Sequence, residues 1–145
     1  MNRIAIVMGL GLVAMAAATV VGQSRAVTHI DSDKVATALA KGGSLVATKD
    51  FTVAGSHRTG PGMVEVHDHE TDIFYVTDGE ATLVTGGTMV GGKQTAPGQH
   101  RGTDITGGQT QKLRKGDFVT IPAGVPHWFK DVSPAISYLT VKVIK

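Results

Sequence analysis

The sequence predicts an all-β fold, a sandwich or a barrel, preceded by one short helix. Beyond residue 44 the chain consists of short runs rich in Val, Ile, Thr and aromatic residues, such as 117–121 and 135–145. Turn residues separate these runs, and the chain contains 19 glycines and 5 prolines in 145 residues. A chain of this length is enough for one domain and too short for two of ordinary size.

The first 26 residues have the layout of a secretory signal peptide. Arg3 supplies a basic start, residues 4–21 form an apolar run, and small and polar residues follow. We therefore predict cleavage near Gly22 or Ala26, and a single domain of residues 27–145 that is exported to the periplasm or secreted. No stable membrane insertion is expected after cleavage. An uncleaved membrane anchor is the alternative, because the apolar run is long enough to span a bilayer.

Charge and cysteine content narrow the class of function. The chain has 14 Lys and Arg against 12 Asp and Glu, and two of the basic residues, Arg3 and Arg25, lie in the leader. The remainder is therefore neutral, with no basic stripe, and nucleic-acid binding is not expected. The chain has no cysteine, so any metal must be bound by nitrogen and oxygen atoms.

Residues 29–43 predict the helix. Asp31 or Ser32 can cap its first turn, an apolar stripe follows, and Gly42 and Gly43 end it. We expect this helix to pack on the edge of the domain.

Residues 64–79 concentrate groups that are costly to bury. On an extended strand, Glu65, His67 and His69 share one face, and Asp72 follows shortly after. A solvated hairpin tip is one explanation for this concentration of charge. A metal site is the other.

Two further segments are predicted from their turn residues. Asp78 and Gly79 favour a tight turn, after which residues 80–87 pair back. The Gly-rich segment 86–111 is longer than most loops. It is expected to be either a loop over the mouth of a barrel or an extra hairpin, since residues 103–113 can form a strand.

A second pattern lies downstream, where Gly116, Pro122, Gly124 and His127 follow one another at intervals of five, one and two residues. This spacing resembles the second motif of the cupins, G(X)5PXG(X)2H(X)3N, with Asp131 in place of Asn. Asp72, six residues and Gly79 resemble part of the first motif, G(X)5HXH(X)3–4E(X)6G, with Asp72 in place of Glu. The resemblance covers residues 65–131 and implies a jelly-roll (double-stranded β-helix) barrel.

The histidine pair of the first motif fits this sequence in two registers. If His67 and His69 are the pair, only two residues separate them from Asp72, where the family has three or four. If Glu65 and His67 take these positions, four residues intervene and Glu65 replaces the first histidine. We therefore predict Glu65, His67, Asp72 and His127 as metal ligands, with His69 in reserve.

The ligand set indicates one divalent ion, Fe(II), Mn(II), Zn(II) or Ni(II). The resemblance implies a metal-dependent enzyme acting on a small polar molecule in the barrel, dioxygenase-like first and an isomerase or lyase next. Glu65 is either a ligand or a catalytic general base beside the metal. The alternative is a non-catalytic module that binds or senses a sugar or an organic acid. A homodimer is also possible by resemblance.

Two basic pairs lie near these motifs. His57-Arg58 precedes the first motif, and His100-Arg101 lies between the two motifs, in the Gly-rich segment. We predict that both lie on the surface. The alternative is that a cation near the mouth of the barrel steers a carboxylate substrate.

Overall fold

The structure, a computed structural model, describes residues 26–145 and confirms an all-β fold with one helix. Its elements in chain order are α1 (Ser32–Lys41), β1 (Gly43–Ala47), β2 (Phe51–Arg58), β3 (Val64–His67), β4 (Glu70–Thr85), β5 (Thr88–Val90), β6 (Lys93–Ala96), β7 (Gln99–Gly102), β8 (Asp104–Thr106), β9 (Gln109–Arg114), β10 (Phe118–Ile121) and β11 (His127–Ile144).

The predicted signal peptide lies almost wholly outside the described residues, so the leader, its cleavage and the export of the domain stay predictions. From residue 26 to the end, no helix is long and apolar enough to cross a membrane.

Helix α1 forms where the sequence predicts it. The side chain of Asp31 caps its start by accepting a hydrogen bond from the Lys34 backbone N–H at 2.8 Å, and Gly42 ends it with φ 78°. Ala38 is buried against β2 at Gly55, where an added Cβ would lie 2.4 Å from the Ala38 carbonyl carbon. This glycine therefore lets the helix lie directly on the sheet.

Strand β11 organises the main sheet. It pairs with β4 along almost its whole length and with β2 over Ile136–Val143, while its first residue, His127, pairs with Glu65 of β3. The far edge of β4 carries β10 and β9 in succession. Because β11 joins β3 to β4, residues distant in sequence meet at its N-terminal end.

The predicted turn at Asp78-Gly79 is wrong, because β4 runs without a break from Glu70 to Thr85. Gly79 instead occupies an irregularity in the pairing with β11, with φ 76°. An added Cβ at Gly79 would lie 2.1 Å from the Ala135 carbonyl oxygen. An irregularity of this kind can use the same positive φ that a tight turn uses, so the residue type alone does not separate the two.

The Gly-rich segment 86–111 is folded into strands. This agrees with the expectation of an extra hairpin and not with that of a loop over the mouth of a barrel. β6 pairs with β7, and β7 pairs with β3 in the register Glu65 to Arg101 and His67 to Gln99. β5 and β8 form a separate two-stranded sheet. The β6–β7 hairpin therefore extends the sheet beside the predicted ligands.

The hydrophobic core lies between the inward faces of β4, β9, β10 and β11. Phe74, Phe129 and Tyr138 form its aromatic part, with ring centroids 5.1–5.7 Å apart. The Phe74 ring also lies 6.4 Å from the ring of His127. The core thus forms one wall of the region where the predicted ligands meet.

Candidate metal centre

Three strands bring the four predicted ligands to one place. β3 supplies Glu65 and His67, β4 supplies Asp72, and β11 supplies His127. His67, Asp72 and His127 are buried, and the Glu65 side chain is 21% exposed. Four polar side chains at this depth need partners or an ion, because burying them without either is unfavourable.

The ligating atoms converge within a few ångströms. Asp72 Oδ2 lies 3.5 Å from His67 Nε2 and 3.4 Å from His127 Nε2. Glu65 Oε2 lies 3.4 Å from His67 Nε2 and 4.0 Å from His127 Nε2. Potential ligands within 4.8 Å of one another form two overlapping groups in the described chain: Glu65, His67 and His127, and His67, Glu70 and Asp72. The region can therefore hold a metal ion.

Hydrogen bonds on the outer side of each imidazole fix which nitrogen faces the centre. His67 Nδ1 bonds the Gln99 side-chain oxygen, and His127 Nδ1 bonds the Val125 carbonyl oxygen at 3.1 Å. Both oxygens only accept, so each Nδ1 carries a proton, and the neutral form of each ring presents an Nε2 lone pair inward. Within residues 26–145 neither Nε2 has a hydrogen-bond partner. Two buried lone pairs aimed at one point are what a divalent ion requires.

Lys142 fixes the orientation of the Asp72 carboxylate. Lys142 Nζ donates to Asp72 Oδ1 at 2.7 Å and lies 3.1 Å from Glu70 Oε2. This bond leaves Asp72 Oδ2 directed at the imidazoles. Burial raises the pKa of Asp72, but His127, His67 and Lys142 outweigh burial and hold the pKa well below its usual range.

Glu65 lies between two guanidinium groups. Arg58 Nη2 is 3.6 Å from Oε1, and Arg101 Nη2 is 3.6 Å from Oε2. Burial raises the pKa of Glu65, but His67, Arg101, His127 and Arg58 together lower it to about 2. Both carboxylates are therefore ionised at neutral pH and available as ligands.

His67 shows the effect of these carboxylates. Burial lowers its pKa, whereas Asp72 and Glu65 raise it, to a net value of about 9. In the absence of a metal ion, a proton on His67 compensates the negative charge that an ion would otherwise neutralise.

The structure places the reserve ligand elsewhere. β3 ends at His67, so the alternation of the strand does not continue to His69, whose side chain is exposed. His69 belongs to neither group of clustered ligands in the described chain. Its neighbour Asp68 is also exposed and pairs with His100 at 3.0 Å.

Four further residues lie around the predicted ligands. The sequence predicts Arg58 and Arg101 at the surface, with a position near the mouth of the barrel as the alternative. Their side chains are 28% and 31% exposed and face Glu65. Gln99 and Lys142 are not part of any site predicted from the sequence. Strand parity gives a signal for Lys142, which shares the inward face of β11 with Tyr138. No comparable signal exists for Gln99 and Arg101, because they reach the centre through the pairing of β7 with β3.

The donor set fits a divalent ion of hard or borderline character. Two imidazole nitrogens and one or two carboxylate oxygens suit Fe(II), Mn(II), Zn(II) or Ni(II). An ion held by three or four protein atoms in octahedral geometry keeps two or three positions for water or a substrate.

Comparisons with known proteins agree with the fold. A family model described as cupin matches residues 19–143. KdgF from Halomonas sp. is 15% identical, with TM-score 0.52, and the match covers 71% of this chain and 78% of that one. Protein NMB1881 from Neisseria meningitidis is 11% identical, with TM-score 0.51 and coverage of 75% and 95%. At these identities the likeness concerns the fold alone.

Other matches are more partial. DMSP lyase DddQ from Ruegeria pomeroyi DSS-3 is 17% identical, with TM-score 0.47, and the match covers 66% of this chain. The chain spans 39% of the length of DddQ and 51% of another matched structure. No curated protein matches the chain. The prediction of a jelly-roll barrel is confirmed by the family match and the strand architecture, and the chain belongs to the cupin family.

Proposed function

We propose that the protein is a metal-dependent enzyme that binds one divalent ion through His67, His127, Asp72 and Glu65 and acts on a small polar molecule. The observation that carries the proposal is the pair of buried Nε2 atoms without a hydrogen-bond partner in the described chain. A core polar atom left unpaired destabilises a fold, so a pair of them facing two carboxylates indicates a site built for a ligand.

Each residue has a separate task in this proposal. His67 and His127 supply neutral nitrogens, which Gln99 and Val125 orient through Nδ1. Asp72 supplies an oxygen whose direction Lys142 fixes. A bound ion supplies Lewis-acid polarisation of a substrate oxygen and, if it is redox-active, electron transfer.

Glu65 suits the role of ligand better than that of general base. A base for catalysis near neutral pH needs a pKa close to the working pH, whereas His67, Arg101, His127 and Arg58 together hold the pKa of Glu65 at about 2. The carboxylate is therefore a weak proton acceptor. Its Oε2 atom faces both Nε2 atoms, which favours coordination.

The dioxygenase-like and the isomerase or lyase activities differ in the metal they need. Elemental analysis of the untagged protein from its native source tests this first. Iron or manganese near one equivalent supports oxygen chemistry, which oxygen uptake with small acids and diketones then examines. Zinc supports isomerase or lyase chemistry, and absence of any metal contradicts the proposal.

Variants test the site itself. His127→Ala is expected to lose stoichiometric metal, because it removes one of two nitrogen ligands. Glu65→Ala should weaken metal binding, whereas the exposed His69→Ala serves as a matched control and should not. If His69→Ala weakens metal binding and Glu65→Ala does not, the ligand register is wrong.

A second candidate is a non-catalytic module that binds a small molecule. A cavity of about 520 Å³ lies apart from the four ligands, lined by apolar side chains such as Leu83, Val119 and Ile121 and by the polar Gln111 and Asp117. This volume is in the range of small-molecule sites. This candidate predicts that ligand binding survives complete removal of metal, whereas the enzyme proposal predicts that it does not.

A further inference from the structure

Two arginines from separate strands meet beside the candidate metal centre. Arg58 ends β2 and Arg101 lies in β7, and each places an Nη2 atom 3.6 Å from a different oxygen of Glu65. A well-formed N–H···O hydrogen bond is shorter, with a donor–acceptor distance of about 2.9 Å. The guanidinium groups therefore neutralise Glu65 from a distance at which neither makes a short hydrogen bond to it.

Other contacts hold the arginines in position. Arg58 Nε donates to the Tyr138 hydroxyl at 2.9 Å, and its guanidinium carbon lies 4.8 Å from the centre of the Phe129 ring. Arg101 Nη1 donates to the carbonyl of His100 at 3.1 Å. Each side chain is thus anchored through one nitrogen, while its Nη2 atom lies beside Glu65.

The charges around the centre favour an anion. Three cations surround the ligands, Arg58, Arg101 and Lys142, and three carboxylates accompany them, Glu65, Glu70 and Asp72. These charges cancel when the imidazoles are neutral. A divalent ion then adds two positive charges in a largely buried region, where an uncompensated charge is costly.

We propose that Arg58 and Arg101 form an arginine pair that binds the carboxylate of a small anionic substrate while an adjacent oxygen of the same substrate takes an open position on the metal. The substrate class is therefore a small carboxylic acid with a neighbouring hydroxyl or carbonyl oxygen. This inference rests on the metal centre proposed above and adds the class of substrate for which that centre is specific. A guanidinium fork matches a carboxylate with two parallel hydrogen bonds, which a neutral amide cannot reproduce.

A small cavity beside the centre limits the size of this substrate. Arg58, Met63, Glu65, Phe74, His127 and Phe129 line a cavity of about 20 Å³. That volume holds about one water molecule. Met63 precedes β3 and is 54% exposed. In the proposed complex a ligand of a few atoms displaces Met63 and turns its carboxylate toward Arg58. Arg101 does not line this cavity and faces the other oxygen of Glu65.

The test compares glycolate with glycolamide, its neutral analogue of nearly the same shape, on protein loaded with Co(II). Visible absorption of Co(II) reports both metal binding and ligand entry. Glycolate is expected to bind at least tenfold more tightly than glycolamide. Arg101→Gln and Arg58→Lys, each loaded with Co(II), should each lower the ratio of glycolate affinity to glycolamide affinity about tenfold.

Arg114→Gln is the matched control, because Arg114 is exposed on β9, and it should bind glycolate normally. Arg58→Lys is preferred to truncation, since Arg58 also packs on Phe129 and a lysine preserves the charge. If Co(II) binds but glycolate and glycolamide bind equally, or the arginine variants bind glycolate normally, the arginine pair is not a substrate site. If Co(II) itself does not bind, the metal-centre proposal fails, and this one with it.

Discussion

At the scale of single residues, the centre depends on which nitrogen of each imidazole carries the proton. The Gln99 side chain and the Val125 carbonyl set this choice from outside the ligand set. Only the Gln99 contact is made by a side chain, so only that contact can be removed by substitution.

Gln99→Leu is expected to weaken metal binding about 10- to 100-fold, because His67 loses the acceptor that holds its ring and its tautomer. Competition with a chromophoric chelator measures this affinity. Gln111→Leu, on exposed β9, is the control and should bind metal normally. Equal affinities for the two variants would mean that the Gln99 contact does not orient His67.

The raised pKa of His67 makes the metal-free protein sensitive to alkali. The pKa of a histidine is about 6.5 in an unfolded chain and about 9 here. Folding therefore gains stability from the protonated ring, fully below pH 6.5, and loses it as the pH rises through 9. Unfolding of chelator-treated protein in urea should show a loss of about 2 kcal/mol between pH 7 and 9.5. His67→Gln should remove this loss.

Metal binding responds to pH in the opposite direction. An ion needs the neutral imidazole, so binding releases the His67 proton at any pH below about 9. Affinity should therefore rise roughly tenfold per pH unit between pH 7 and 8.5. Calorimetry in buffers of different ionisation enthalpy counts the released protons. Release of no proton at pH 7 would contradict the pKa assigned to His67.

Sequence reasoning brings the four predicted ligands together for a definable reason. Asp72 and His127 follow from motif spacing, and alternation along β3 places Glu65 and His67 together. The same reasoning does not decide between the surface and the site for Arg58 and Arg101, because a basic pair near a turn resembles any solvated pair. Their proximity to Glu65 arises from strand pairing across long separations in sequence, which local patterns do not encode.

At the scale of elements, β4 shows how a local signal can mislead. Asp-Gly followed by a β-rich run is typical of a hairpin, yet the strand continues through Gly79 because β11 pairs with both of its halves. Helix α1 needed no such tertiary information, because its cap, stripe and terminal glycine all lie within one short segment.

Gly79→Ala is expected to destabilise the fold by more than about 2 kcal/mol. The substitution places a Cβ at positive φ, which costs about 1 kcal/mol, and also 2.1 Å from the Ala135 carbonyl oxygen. Gly107→Ala is the matched control, with φ 74° and no atom within 4 Å of its Cβ. Denaturant unfolding of Gly107→Ala should show only the cost of the positive φ, about 1 kcal/mol. Equal losses would mean that the bulge relaxes freely.

At the scale of the whole molecule, the four predicted ligands come from β3, β4 and β11, and His127 is 62 residues from Glu65. An unfolded chain does not hold these side chains together, so an ion held by them would bind the native state selectively and stabilise it.

A metal ion at about 100 times its dissociation constant should stabilise the protein by about 2.7 kcal/mol, or a rise in Tm of roughly 8 °C. Thermal scans with and without a chelator measure the difference. His127→Ala should show almost no difference between the two scans. A similar shift in that variant would place the stabilising ion elsewhere on the chain.

The β6–β7 hairpin has a consequence for how such a protein diversifies. It contributes Gln99 and Arg101 but none of the four predicted ligands, and within residues 26–145 it pairs with the rest of the sheet only through β3. If the centre works as proposed, insertions, deletions or exchanges between residues 91 and 103 that retain Gln99 would alter which substrate it accepts and leave its ability to hold an ion intact. Substrate preference could then change in a lineage of such proteins by replacement of one short module while the metal site is kept.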